Sequence, residues 1–312
     1  MKKIISILLF FACLCTFSGC SGGTEKDDRI SVVCTIFPQY DIVRQIAGDS
    51  VSLKMLLPFG MESHDLRLEN FSARDIKTIS DADIFIYVGG ESDRTWVGEI
   101  KSFVQKNNVE WLSLCDMTET LCSDEHHNHE HVDEHIDEHI DEHVWTSPKR
   151  MLEITDSILE ALKNADPKNS EKFVSGAEKF KKELLELDNG FKALNGMNGE
   201  TLIFADRFPF RYLFEDYSMK YMAAFEGCGS AVDPSALQIS EICKTAKKQG
   251  TKTVFCIENS NESYVKTIAG TVNANYKKLH SCHNVTRTEY LNSETYITLM
   301  KKNLEILTEA MG

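Results

Sequence analysis

The chain has 312 residues, a formal net charge of −14 and 42% hydrophobic residues. That is enough apolar material for real cores in two domains or one large one. The acidic balance repels phosphate backbones and favours cations, which argues against a nucleic-acid-binding role.

The N-terminus has the form of a targeting segment. Met1-Lys2-Lys3 is basic, and the apolar run over 4–17 is too short to span a bilayer comfortably. It ends in Phe17-Ser18-Gly19-Cys20, which resembles a bacterial lipobox despite Phe17 where Leu is usual. The expectation is a signal peptide over 1–19, lipidation of the Cys20 thiol and a flexible tether through residue 28. Seven cysteines follow Cys20, an odd number, so at least one thiol is free or pairs elsewhere. No CxxC pair occurs, so a four-cysteine structural zinc site is not indicated.

Strands and helices then alternate. The β-branched run over 30–36 predicts a strand, 40–47 a helix and 51–57 a second strand. A helix over 72–80, a strand over 84–88, a helix over 95–106 and a strand over 111–114 follow. Ser147-Pro148 is a helix start, with periodicity over 151–162. After Asp166-Pro167, residues 171–194 form one long amphipathic stretch, read as a connecting helix. The alternation restarts with strands over 201–204, 220–225, 253–257 and 276–280. Helices are expected over 210–217, 234–249, 262–272 and 294–311. Two α/β lobes of similar size, each with a largely parallel sheet, are the expected architecture.

Between Asp124 and His143 the chain reads DEHHNHEHVDEHIDEHIDEH. Seven of the ten histidines lie there among nine acidic residues, a ligand-rich tract for zinc-like divalent metals. His126, His127, His129, His131, His135 and His139 are read as accessory binders on a loop that is solvated without metal, with His143 fixed. Alternatively the period-four repeat sets His135, His139 and His143 on one face of a metal-nucleated helix. The three remaining histidines, His64, His280 and His283, each follow a predicted strand or turn. Ligands of open α/β sheets bind beyond the carboxyl ends of strands.

Phe37-Pro38-Gln39-Tyr40-Asp41-Ile42-Val43, Ile46-Ala47-Gly48-Asp49 and Leu57-Pro58-Phe59-Gly60 leading to Ser63-His64 resemble the N-terminal lobe of the zinc/manganese solute-binding lipoproteins of ABC importers. So do Asp81-Ala82-Asp83, Gly89-Gly90-Glu91, Trp96 and the His-x-Trp-x-Ser-Pro element at His143. Pro234-Ser235 and the 254–258 stretch are similar to its C-terminal lobe, and the His-rich insertion is similar to the zinc-uptake branch.

The resemblance implies a signal peptide over 1–19, a lipidated tether over 20–28 and an N-terminal lobe over 29–165 carrying the His-rich loop 124–142. A rigid connecting helix over 166–195, a C-terminal lobe over 196–312 and a metal site in the cleft between the lobes complete it. It implies an extracytoplasmic, membrane-anchored, monomeric receptor that passes Zn2+ to an ABC permease and is not an enzyme. His64 and His143 match the first two ligands. Where the family commonly has a third, this chain reads Phe204-Ala205-Asp206-Arg207, with Asp206 as an alternative ligand. At the fourth position it reads His280-Ser281-Cys282-His283. His280 is assigned there, and His283 is assigned to replace the missing third ligand.

Three imidazoles favour zinc over manganese, and affinity should fall as pH drops through about 6. His283 points away from His280 on an extended strand, so both can ligate only if the chain turns between them. Cys282 is either a metal thiolate or a disulfide partner of Cys228, the second being preferred. Competing readings are a manganese or other divalent-metal receptor and an exported zinc-dependent hydrolase. The latter lacks a His-Glu-x-x-His element and any acid/base pair that stands out.

Overall fold

The computed structural model describes residues 27–104, 108–121, 140–195, 197, 199–225 and 233–312. The predicted signal segment, Cys20, the tract as far as His139, and Cys228 lie outside these residues. Among the described residues no helix is long and apolar enough to cross a membrane.

The apolar, β-branched runs form two four-stranded sheets, both wholly parallel. The first contains β1 (Ser31–Cys34), β2 (Ser52–Met55), β3 (Ile84–Tyr87) and β4 (Glu110–Ser113) in the order β2-β1-β3-β4. The second contains β5 (Leu202–Phe204), β6 (Tyr221–Ala223), β7 (Thr253–Ile257) and β8 (Asn275–Leu279) in the order β6-β5-β7-β8. The strand order is the same in both lobes. Parallel neighbours need crossovers, and helices supply them. In the first lobe these are α1 (Phe37–Ala47), α2 (Ala73–Ser80), α3 (Glu91–Arg94) and α4 (Val97–Phe103). α5 (Pro148–Ala165) and α6 (Ser170–Leu194) lie between the two sheets in sequence. The second lobe adds α7 (Arg211–Asp216), α8 (Ala236–Gln249), α9 (Ser263–Val272), α10 (Arg287–Leu291) and α11 (Tyr296–Met311).

Local chemistry sets several boundaries. Ser72 and Ser235 accept the Asp75 and Gln238 amides as N-caps of α2 and α8. Gly250, at φ 72°, ends α8 in the left-handed conformation. The helix expected over 95–106 is the shorter α4, and neither α3 nor α10 had a sequence counterpart.

α6 is the predicted connector. Phe173, Ala177, Phe180, Leu184, Leu187, Phe191 and Leu194 fall on one buried face at three- and four-residue spacing. Each large side chain fully buried there contributes about 1.5–3 kcal/mol. At ~1.5 Å per residue the helix is about 37 Å long. A Cβ at Gly176 would sit 2.2 Å from the Ile46 carbonyl oxygen, so only glycine lets α6 lie this close to the end of α1. One continuous buried cluster runs from the first sheet through α5 and α6 to Phe204, Phe255 and Leu279 of the second. The other face of the second sheet has its own smaller cluster, including Ile203, Val254, Ile242 and Ile268.

The loop after β8 is stapled to the first lobe. Phe37 N donates to His283 O (3.3 Å) and Gly60 N to Val285 O (3.1 Å). Asn284 Nδ2 donates to Pro58 O (2.7 Å) and Met61 O (3.0 Å). The indole of Trp145 donates to Ser281 O at 3.0 Å. At the start of α11, Tyr296 N donates to the buried carboxylate of Asp41 at 2.7 Å.

Candidate metal centre

The loops beyond β2, β4 and β8 bring three histidines together. His64 lies in the single turn Ser63–Asp65 after β2, and His143 precedes the turn Val144–Thr146. His283 follows β8. The Nε2 of His64 is 3.1 Å from that of His143 and 3.2 Å from that of His283. One ligand atom from each lies within 4.8 Å of the others. Nitrogens bound tetrahedrally at the usual zinc distance stand about 3.3 Å apart, so the triad has the spacing zinc needs.

The other ring nitrogen of each histidine is occupied. His64 Nδ1 faces Glu142 Oε1 at 3.0 Å, and His143 Nδ1 faces Asp141 Oδ1 at 2.7 Å. His283 Nδ1 faces Ser281 Oγ at 2.8 Å, and that hydroxyl donates to Glu258 Oε1 at 2.6 Å. An acceptor on Nδ1 fixes the proton there and leaves the Nε2 lone pair for a metal.

These partners are themselves anchored. Glu142 is 4% exposed and accepts the Ser92 amide (3.0 Å) and hydroxyl (2.7 Å). A Cβ on Gly90 would come within 2.3 Å of the Glu142 side chain, so glycine makes the room. Asp141 N donates to Leu121 O, and Asp141 O accepts the phenol of Tyr212 from the other lobe. Glu258 also accepts the Ser281 amide at 2.9 Å. Trp145 packs on both His143 and His283, with ring centroids 5.3 and 5.1 Å away.

The electrostatics differ along the triad. Burial opposes charge on His64, but the hydrogen bond and charge of Glu142 outweigh it and raise the pKa above the ordinary 6.5. Burial likewise opposes charge on Glu142. The His64 hydrogen bond and charge, then the His143 charge, hold that carboxyl down at about 2. His283 is pushed well below 6.5 by burial and by the charges of His143, His64 and Arg207, so it is neutral.

Of the residues singled out in the sequence, His64, His143 and His283 converge, whereas His280 and Asp206 stand outside the group. The assignment of His280 to the site is corrected: its Nδ1 accepts the Cys282 amide at 3.0 Å and its Nε2 faces Glu289 at 3.5 Å. The chain does turn between the two histidines. Cys282 takes φ 60°, which sends His283 to the triad and leaves His280 behind. Asp206 is occupied by the amides of Arg207 (2.9 Å) and Ile257 (3.1 Å). Among the described residues Cys282 is a buried thiol with no partner cysteine, and its expected disulfide partner Cys228 lies outside them.

The loop expected over 124–142 ends in two residues that are fixed against the histidines. Asp141 and Glu142 belong to the site, not to a solvated loop. The order Asp-Glu-His was the available signal, since a carboxylate two residues before a histidine can reach its Nδ1. Ser281, likewise two residues before His283, carried a similar signal.

The family profile described as zinc-uptake complex component A, periplasmic (ZnuA), matches residues 32–310. The chain belongs to this family. It is 27% identical over 311 residues to the zinc-binding lipoprotein AdcA of Streptococcus pneumoniae, covering 99% of this chain and 61% of that protein. The chain therefore spans about three fifths of that relative's length. It is 24% identical to the high-affinity zinc uptake system protein ZnuA of Bacillus subtilis, covering 99% of this chain and 98% of that one. Among solved structures it is similar to the Zn(II)-bound ZnuA-like domain of S. pneumoniae AdcA. The TM-score is 0.73 at 24% identity, over 91% of this chain and 99% of that one, which establishes the two-lobed fold.

Proposed function

We propose that this protein is an extracytoplasmic receptor that captures one Zn2+ between its lobes and delivers it to the permease of an ABC importer. The observation that carries this reading is the convergence of three Nε2 atoms whose Nδ1 partners are all fixed by acceptors. Three imidazoles with one position open suit zinc better than the oxygen-preferring manganese. Family membership and the zinc-binding descriptions of the relatives agree.

In this reading residues 29–165 and 196–312 are the lobes and 166–195 the connector. Lipidation at Cys20 holds the receptor at the membrane in the cell envelope, where several acyl chains give stable attachment. The histidines from His126 to His139 bind zinc weakly and raise its concentration near the triad.

Calorimetric titration of zinc and manganese into purified protein tests the reading. One tight zinc site is expected, retained when residues 125–139 are deleted, with manganese unable to displace zinc. Full affinity in His64→Ala, His143→Ala and His283→Ala alike would sink the assigned site. Zinc stoichiometry unchanged by the deletion would sink the collecting role of the tract.

A further inference from the structure

Two segments of the C-terminal lobe reach the histidine triad, and they are held very differently. The His283 loop is fastened to the first lobe by the hydrogen bonds of Phe37, Gly60, Asn284 and Trp145 described above. Separating His283 from His64 would break all of these. The second segment follows β5. There Arg207 reaches across to Glu62, two residues before His64, with Nη1 2.6 Å from Oε2 and Nη2 2.9 Å from Oε1. This is a bidentate guanidinium–carboxylate pair between lobes, a strong and directional contact. Its base is fixed, because the Asp206 carboxylate ties the Arg207 amide to the end of β7 through Ile257 N. The long side chain remains the adjustable part.

Exposure rises in one direction across the site. His283 is 1% exposed. The side chains of His143 and His64 are 5% and 15% exposed, and that of Arg207 is 26% exposed. The solvent side of the triad is therefore the His64 side, where Glu62 and Arg207 meet.

We propose that the Arg207–Glu62 pair is a latch across the cleft, and that its opening sets the rate at which metal enters and leaves the histidine triad. The triad and the His283 loop then form one preassembled block, and exchange proceeds by release of this ion pair without dismantling the block. The latch rests on the zinc-receptor reading, and the two fail separately: a wild type that binds no zinc refutes the receptor, whereas a zinc-loaded protein with unchanged exchange refutes only the latch.

The test is stopped-flow transfer of Zn2+ from the loaded full chain to a chromogenic chelator. Glu62→Gln and Arg207→Met should each release zinc roughly five- to tenfold faster, the scale of one partly exposed bidentate pair. Association should quicken too, so the equilibrium affinity should change less than the release rate. The double variant should be no faster than the faster single one. The reversed pair, Glu62→Arg with Arg207→Glu, should recover slow release, an outcome that general loosening of the fold would not give. Unchanged release in both single variants would overturn the latch. So would slower release in Arg207→Met, the mark of a cation that merely repels the metal, or a double effect equal to the product of the singles.

Discussion

The two lobes share a strand order but furnish the metal centre by different means. The N-terminal lobe gives His64 and His143, each held directly by a carboxylate at 3.0 and 2.7 Å. The C-terminal lobe gives His283 alone, with a serine hydroxyl between its ring and Glu258. The first half favours charge: the hydrogen bond and charge of Glu142 raise the His64 pKa above its ordinary value. The second half is neutral, buried and held chiefly by backbone contacts. One half tunes how strongly protons compete with metal, and the other supplies fixed geometry.

Removing a ligand tests that contrast most severely. His64→Ala, His143→Ala and His283→Ala should each weaken zinc binding roughly a hundredfold or more in competition titrations. An undiminished site in His283→Ala would show that the first lobe suffices. Removing an orienting group should have a smaller effect. Glu142→Gln is expected to weaken binding about ten- to a hundredfold, and Ser281→Ala to fall near the lower end of that range. Equal losses in both would erase the distinction between the direct carboxylate and the relay.

The halves should also separate by pH. Zinc must displace a proton from His64, whose pKa lies above 6.5, whereas His283 is already neutral. Apparent affinity should therefore fall as pH is lowered, with the fall starting above 6.5. Glu142→Gln removes the group that raises the His64 pKa, so the inflection should move to lower pH. An inflection that stays in place would assign the proton to another group. The smallest effect is expected at His280. His280→Ala should leave zinc affinity within about twofold, since the ring makes no contact with the triad, while lowering the melting temperature through loss of a buried side chain. A large loss of affinity there would reopen its place among the ligands.

Most of the architecture is written in local patterns. The β-branched runs, the Ser72 and Ser235 caps and the apolar stripe of 171–194 each announce an element without reference to the rest of the chain. His64 and His143 were equally legible, because each closes a recognisable motif. The choice between His280 and His283 was not, since it turns on the sign of φ at Cys282, a non-glycine residue that gives no warning of a left-handed conformation. Arg207 and Glu62 are far apart in sequence and carry no shared motif, so only the folded chain shows them as partners. Asp141 and Glu142 were hidden in plain view, inside a repeat whose other members have the same composition.

The division of the apolar interior has a consequence for how the molecule comes apart. The cluster that threads both sheets and α6 makes the two lobes a single cooperative unit, so neither should survive excision. The separate cluster beneath α8 and α9 contains far fewer large side chains. Its amides should exchange with deuterated solvent ahead of the rest, through partial unfolding that leaves the triad and its staples in place. Metal retention and the integrity of that outer layer should therefore decay on different clocks.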